Sequence, residues 1–292
     1  MEYYTASREG LNIRDMDIRH TLESAQPLTF HADYDFSNGS VCYASESRIV
    51  RFSFMENASR CKVRFGPCNL AFARKDLIKR FRLKDDMDSI YAHIATDEFM
   101  ASAVRKYKGM RITLNDPWET TLCFIISQYN NVKRIRLIVK RLISEFGNDI
   151  TDGNGAAMKG FPSAADLAAF GDRDFRRCGA GFRAKYIAQA ADCCANNMDL
   201  NSLAGKGYEK IKSALMEISG VGDKVADCIA LMGYGKMEAF PIDVWVKRTL
   251  ENVYFNGKAK SIKELHRFVE DRWEGKYRGH AQQYIFWAGR SI

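Results

Sequence analysis

Two residues in this chain have the types and setting for covalent chemistry: Lys224 in "GVGDKVADC" and Asp243 in "PIDVWVKR". Lys224 stands on the first turn of an expected helix, just behind a Gly-Val-Gly turn. A cation there opposes the helix dipole, which favours anions at that end. Three readings are open. The ammonium pairs with a bound phosphate, or it is a nucleophile whose pKa is pushed down by the dipole and by basic neighbours, or it is a solvated surface lysine. A neutral amine at this place could attack a carbon centre and form a Schiff base. Asp243 follows Pro241 and opens an apolar helix, so it is a favoured N-cap. A carboxylate held ionised at a helix start would also stabilise an oxocarbenium-like sugar cation. Cap and catalyst can be the same residue.

The turn itself, Gly220-Val221-Gly222, separates two helices by only a few residues. Such a turn needs backbone angles that other residues avoid. It leaves N–H groups free at the start of the second helix, where they and the dipole can bind a phosphate irrespective of base sequence. A plain corner between two helices explains the glycines equally well.

The surrounding elements divide into two textures. The first ~90 residues carry "PLTFHADYDF", "SVCYAS", "RIVRFSFM" and "CKVRFGPCNLAF", rich in aromatic and β-branched residues and partly alternating. They predict short strands separated by "SNGS" and "ENAS" turns. From about Asp85 the signal is helical. Asp116 is an expected N-cap, with Pro117 at the first helical position and Glu119 closing a capping box. "NVKRIRLIVKRLISEFG" places Val132, Ile135, Val139, Leu142 and Phe146 on one face, and Gly147 stops it. Further helices are expected at "FPSAADLAAFG", "FRAKYIAQAADCCANN", "KIKSALMEISG", "KVADCIALMG", "SIKELHRFVEDRW" (with a Ser261/Glu264 capping box) and "HAQQYIFWAG". "TDGNGAAMKG" reads as a flexible loop. The fold class is α+β: an N-terminal antiparallel sheet domain over 1–95, then a helical region over 96–292 with its hairpin at 208–233 and last helices returning to the first.

The chain has 292 residues and a net charge of +8, which points to a polyanionic partner, nucleic acid first. No basic start followed by an apolar run marks a signal peptide, and no apolar stretch reaches membrane-spanning length. Cysteines 42, 61, 68, 123, 178, 193, 194 and 228 form no C-x-x-C pair and no zinc spacing with histidine, so reduced, mostly buried thiols are expected. No four-cysteine iron–sulfur pattern follows the hairpin. The expected location is the cytoplasm of a prokaryote, at the nucleoid, or the nucleus of a eukaryote.

"SGVGDKVADCIALMGYGKMEAFPIDV" resembles the helix-hairpin-helix (HhH-GPD) DNA glycosylases, and within them the 8-oxoguanine DNA glycosylases. "KYKGMRITLNDPWETTLCFIISQYNNVKRI" is similar to their opening helical segment, "CGAGFRAKYI" to a second DNA-contact loop and "GHAQQYIFWA" to their closing helix. The likeness covers roughly 90–290. It implies two helical subdomains with the active-site cleft between them, and a monomer acting on duplex DNA that contains a damaged base. Lys224 would attack the sugar C1′, Asp243 would support displacement of the base, and the Schiff base would allow strand cleavage by β-elimination. Phe286 and Cys228 would sandwich the flipped base and Gln282 would bond its Watson–Crick edge. Asn130, Asn131, Arg134 and Arg183 match the family's gap-filling turn and arginines, with Phe182 at the place of a tyrosine wedge. Lys247 falls on the DNA side of the Asp243 helix.

The sequence also departs from the family. Tyr129 stands where the family offers an asparagine to the opposite cytosine, and Trp245 replaces a phosphate-touching histidine. The glycine whose carbonyl reads the oxidised N7 is best matched by Gly39. No cofactor is expected beyond a cation bridging the hairpin to a DNA phosphate. The competing readings are a monofunctional alkylated-base (3-methyladenine type) glycosylase, which generally lacks the lysine, and a non-catalytic hairpin module, which would keep the glycines but would not need both Lys224 and Asp243.

Overall fold

The protein is described by a computed structural model covering residues 4–7, 10–57, 60–152 and 155–290. Its N-terminal unit is a six-stranded antiparallel sheet of order β1-β2-β6-β5-β4-β3. The strands are β1 (Tyr4–Ala6), β2 (Gly10–Arg14), β3 (Asp33–Asp35), β4 (Ser40–Ser45), β5 (Arg48–Asn57) and β6 (Arg60–Phe65). Two-residue alternation turns one face inward: Val41 lies opposite Phe52, Tyr43 opposite Val50, and Leu11 opposite Val63. These side chains are buried with Ala73, Leu77 and Phe81. Each such side chain contributes about 1.5–3 kcal/mol when fully removed from water.

Two segments expected as strands begin or end as helices. "PLTFH" forms α2 (Pro27–His31), because Pro27 sits at N1 and Gln26 and Thr29 make a reciprocal capping pair. It follows α1 (Ile18–Glu23), capped by Asp17. "CNLAF" lies largely in α3 (Leu70–Arg80), whose N-cap Asn69 accepts from the Phe72 N–H. In both places aromatic content suggested a strand, while a local cap decided for helix. The flexible loop expected at "TDGNGAAMKG" instead turns between two paired strands, β7 (Asp149–Thr151), which ends at its first residue, and β8 (Ala157–Lys159) within it. Gly153 and Asn154 of that stretch, and Ala58 and Ser59 of the "ENAS" turn, lie outside the described residues.

Two helical cores follow. One is built from α6 (Pro117–Ser127), α7 (Val132–Phe146), α8 (Ala164–Ala168), α9 (Asp172–Arg177), α10 (Arg183–Asn196), α11 (Tyr208–Leu215) and α12 (Asp223–Tyr234). The other joins α4 (Met87–Ile94) and α5 (Glu98–Lys106) to α13 (Val244–Tyr254), α14 (Ile262–Arg272) and α15 (Gly275–Gly289), so the chain's last helices pack on the first ones of the helical region. In α7, Ile135, Ile138, Val139, Leu142 and Phe146 are the buried stripe. Asp116 caps α6 through the Trp118 and Glu119 N–H groups. Glu119, however, closes no capping box. Its carboxylate turns into the interior to meet His31 Nε2 at 2.6 Å and Arg80 Nη1 at 3.5 Å, because a buried guanidinium and a buried imidazole nitrogen outcompete one exposed backbone N–H. The Ser261/Glu264 box forms as expected.

Candidate active site

The loop between α11 and α12 is held from both sides. Gly220 has φ +84°, and a Cβ there would lie 2.7 Å from Cβ of Tyr186, so only glycine fits. Gly222 differs. Its φ of −92° is ordinary, and a Cβ would meet no protein atom within 4 Å. No contact within the chain therefore demands glycine at this position. No side chain caps α12, which leaves its first N–H groups open to an external anion. Val221 is buried and anchors the turn.

Across α11 and α12, Tyr208 Oη donates to Asp227 at 2.5 Å, while Lys212 Nζ lies 2.9 Å from both Asp223 and Asp227. This cluster, buried at Asp227 and open to solvent at Asp223, fixes the two helices against each other. Asp223, Asp227 and His266 form the one metal-like grouping of ligand atoms among the described residues, and both of its acids already share the Lys212 ammonium as an ion-pair partner. The cysteines are free thiols.

Behind the hairpin a cavity of about 290 Å³ opens between the two helical cores. Lys224 and Cys228 reach it from α12, Asp243 and Trp245 from the start of α13, and Gln282 and Phe286 from α15. Asn130 and Asn131 line it as well. Asp243 is the α13 N-cap, accepting from the Val246 N–H at 2.8 Å, so its carboxylate is both ionisable and rigidly placed. Gln282 donates Nε2 to the Pro241 carbonyl at 3.1 Å, and its Oε1 is buried without a partner. An unpaired acceptor in a dry pocket is costly and marks a place for a ligand N–H.

The electrostatics correct one expectation. The groups that act most on Lys224 are Cys228, Asp243 and Asp227, none of them basic, so it is not basic neighbours that set its pKa. Burial is the largest influence and does act downward, but Cys228 and then Asp243 outweigh it, and the ammonium titrates above the ordinary lysine value. Burial pushes the Cys228 thiol up to about 11 against the pull of Lys224. The resting site therefore holds a protonated amine beside a thiol and a carboxylate. Phe124 offers its ring face to Nζ at 5.5 Å.

Gly39 does not reach the cavity. It occupies the turn between β3 and β4 with φ +65°, and its carbonyl accepts from the Phe54 N–H at 2.7 Å. The N-terminal unit instead contributes Ser24, Ala25 and the buried Phe30, and Ala25 adopts φ +59°. Gln283 Nε2 ties the Ser24 carbonyl to α15 at 3.0 Å. Nothing in the sequence pattern pointed to this segment, because the contact joins residues far apart in the chain.

The rim carries the remaining candidates. Tyr129 is 94% exposed with φ +47°, and its ring lies 6.4 Å from that of Phe182, itself 48% exposed. Asn130 Nδ2 donates to the Ile126 carbonyl and Asn131 caps α7 through the Arg134 N–H, while Arg134 faces solvent. Arg183 is buried and spends its donors on backbone carbonyls, so it supports the loop. Lys247 is likewise committed, to the Lys260 carbonyl at 2.8 Å and to Glu251 at 3.5 Å.

Residues 122–275 match the HhH-GPD superfamily of base excision DNA repair proteins, and residues 10–121 match the N-terminal domain of 8-oxoguanine DNA glycosylases. The chain belongs to the HhH-GPD superfamily. An N-glycosylase/DNA lyase of Saccharomyces cerevisiae is 34% identical over 217 residues, a match that spans 70% of this chain and 58% of that protein's length. The solved structure of MBOgg1 with a low-affinity DNA ligand superposes with TM-score 0.87 at 30% identity, covering 100% of this chain and 99% of the other. The Clostridium acetobutylicum 8-oxoguanine glycosylase/lyase, solved with duplex DNA carrying cytosine opposite 8-oxoguanine, gives 0.86 at 25% identity with 100% and 99% coverage. The α11–α12 pair lies within the matched residues 122–275, and α12 lines the cavity. No helix among the described residues is long and apolar enough to cross a membrane.

Proposed function

We propose that this chain is a bifunctional base-excision enzyme that extrudes 8-oxoguanine from duplex DNA, removes it and cleaves the abasic strand. The observation that carries the proposal is the convergence of Lys224, Asp243 and the unpartnered Oε1 of Gln282 on one cavity of about 290 Å³. A base inside a duplex is inaccessible to a nucleophile, so it must be flipped into a pocket of this kind. Phe286 and Cys228 supply the walls against which the base lies. The Gln282 Oε1 accepts N–H groups from its Watson–Crick edge. The Ser24–Ala25 backbone takes the lesion-reading role first given to Gly39, because it lines the cavity and Gly39 does not.

Chemistry begins when Lys224 gives up a proton. The free Nζ pair forms a bond to C1′, and the C1′–N9 bond breaks with its electrons leaving on the base, which is then protonated. Asp243 stabilises the positive charge that develops on the sugar. The C1′ centre then carries the lysine nitrogen and the ring oxygen; the nitrogen pair forms C=N as the C1′–O4′ bond breaks, and the ring oxygen leaves as a protonated hydroxyl, giving the Schiff base. Loss of a C2′ proton then expels the 3′ phosphate oxygen, which is the lyase step. The hairpin amides around Gly222 hold the backbone phosphates during this sequence, independently of base identity.

Borohydride should trap a covalent adduct with an 8-oxoguanine duplex, and Lys224→Gln should abolish it. Wild-type protein that traps nothing and instead excises 3-methyladenine would establish the monofunctional alternative.

A further inference from the structure

We propose that Arg290, at the end of α15, is a positioning residue that grips a phosphate of the extruded nucleotide; this rests on the base-excision reading above. Among the cavity's lining residues Lys224 and Asp243 offset one another, and Arg290 is the formal charge left over. It stands exposed at the rim, while Gln282 is buried. Its guanidinium carbon lies 5.6 Å from the centroid of Phe286 and 5.5 Å from that of Trp287. Those ring contacts fix the head of the side chain without a hydrogen bond, and its N–H donors have no protein partner among the described residues.

The backbone beneath it is equally constrained. A Cβ on Gly289 would fall 1.9 Å from Thr249 Oγ1, so glycine is what lets the end of α15 seat against α13. Asp243 caps that same helix. The guanidinium and the carboxylate thus ride on one packed pair of helices, at the rim and in the wall of one cavity. A flipped nucleotide brings its own phosphates to the cavity mouth, and an anchored guanidinium with free donors is the side chain best matched to a phosphate. An arginine at a helix C-terminus also satisfies the dipole, and a role confined to that would leave DNA binding untouched.

The test compares salt dependence of binding in a Lys224→Gln background, so that the lesion is not consumed. Arg290→Leu should lower the slope of log K against log[salt] by about 0.9 on an 8-oxoguanine duplex, the loss of one phosphate contact. It should weaken that binding by about tenfold at moderate salt. On an undamaged duplex both quantities should stay at the parent value. Arg290→Lys, which keeps the charge, should restore the slope. An unchanged slope on lesion DNA in Arg290→Leu overturns the proposal, as does an equal drop on lesion and undamaged DNA. If otherwise unaltered protein neither excises nor traps 8-oxoguanine, the excision reading fails instead; if it does both while Arg290→Leu keeps the full slope, only the arginine assignment is lost.

Discussion

Arg183 donates from Nη2 to the Tyr129 carbonyl at 2.8 Å, so a buried guanidinium holds the loop that carries the most exposed large apolar side chain among the described residues. The same guanidinium donates from Nε to the Gln128 carbonyl at 2.7 Å, and Gln128 Nε2 in turn bonds the Gly220 carbonyl at 2.9 Å. The aromatic tip and the hairpin are therefore one rigid unit. A tyrosine ring fills the gap left by a flipped base by stacking, and a π-face stacks on every base. Excision of 8-oxoguanine should therefore vary by no more than about tenfold across the four opposite bases, since stacking lacks the directional bonds that discriminate. Tyr129→Ala should weaken lesion binding by about 1–3 kcal/mol against every opposite base alike. An excision panel with each opposite base measures both, and a strong preference for one base in the wild type would contradict the stacking account.

The two hairpin glycines should separate stability from binding. Gly220→Ala forces a side chain into a left-handed conformation and against Tyr186, and should cost about 1–3 kcal/mol in denaturant unfolding. Gly222→Ala meets no protein atom and has an ordinary φ, so stability should hold within about 0.5 kcal/mol. Its DNA affinity should nevertheless drop, because the added methyl occupies the side from which a phosphate backbone approaches. Full DNA affinity in Gly222→Ala would mean that the open space there has no ligand.

The pH dependence of excision follows from the raised pKa of Lys224. The reactive amine is the minor form at neutrality, so single-turnover excision should climb about tenfold per pH unit toward alkaline pH. Cys228 and Asp243 are what keep the pKa up against burial. Cys228→Ala should therefore shift the pH–rate profile to lower pH, and the rate at neutral pH should rise relative to the alkaline limit. For stability the sign is opposite in consequence: a raised pKa contributes below the ordinary lysine value and is lost only as pH climbs through the folded one. Neutral-pH melts should therefore not report on Lys224 ionisation. A profile that moves to higher pH in Cys228→Ala would reverse the assigned electrostatics.

The helical half of the molecule was legible because its signals are local. Asp116, Ser163 and Ser261 cap the helices they precede, and the α7 stripe repeats at helical spacing. Lys224 and Asp243 could be singled out because each breaks or exploits a helix-terminus rule. The N-terminal half was less legible. At Pro27 and Asn69 a short cap overrode an aromatic composition that favours strands. Gly39 drew attention as a turn glycine, and it is one, but its carbonyl is consumed within the sheet. Ser24 and Ala25 reach the cavity only because Gln283, at the far end of the chain, pulls the Ser24 carbonyl onto α15. Local pattern carries no trace of such a contact. Nor does it separate an arginine that faces solvent from Arg183, whose charge is spent on backbone carbonyls.

Glu119 offers a prediction that sequence patterning would have misdirected. As a capping-box residue its replacement would cost about 1 kcal/mol. In its buried position it joins α6 to His31 of α2 and Arg80 of α3, so it ties the N-terminal unit to the helical core. Burial is the largest influence on it and acts upward, but His31 and Arg80 outweigh burial and hold its pKa below the ordinary glutamate value. A depressed carboxylate stabilises the fold above its unfolded pKa and loses that contribution as pH falls through the folded one. Glu119→Gln should therefore lose about 3–5 kcal/mol at pH near 7, because it leaves Arg80 with one counter-charge fewer in the interior. The deficit should shrink as pH falls below about 4.5, where the wild type sheds the same contribution. Since α2 begins two residues after Ala25, lesion excision should fall more than lyase action on a pre-formed abasic site, which has no base for the Ser24–Ala25 segment to read. Urea unfolding at two pH values and paired excision and lyase assays measure these effects; a loss near 1 kcal/mol that does not change with pH would return Glu119 to the role of a simple cap.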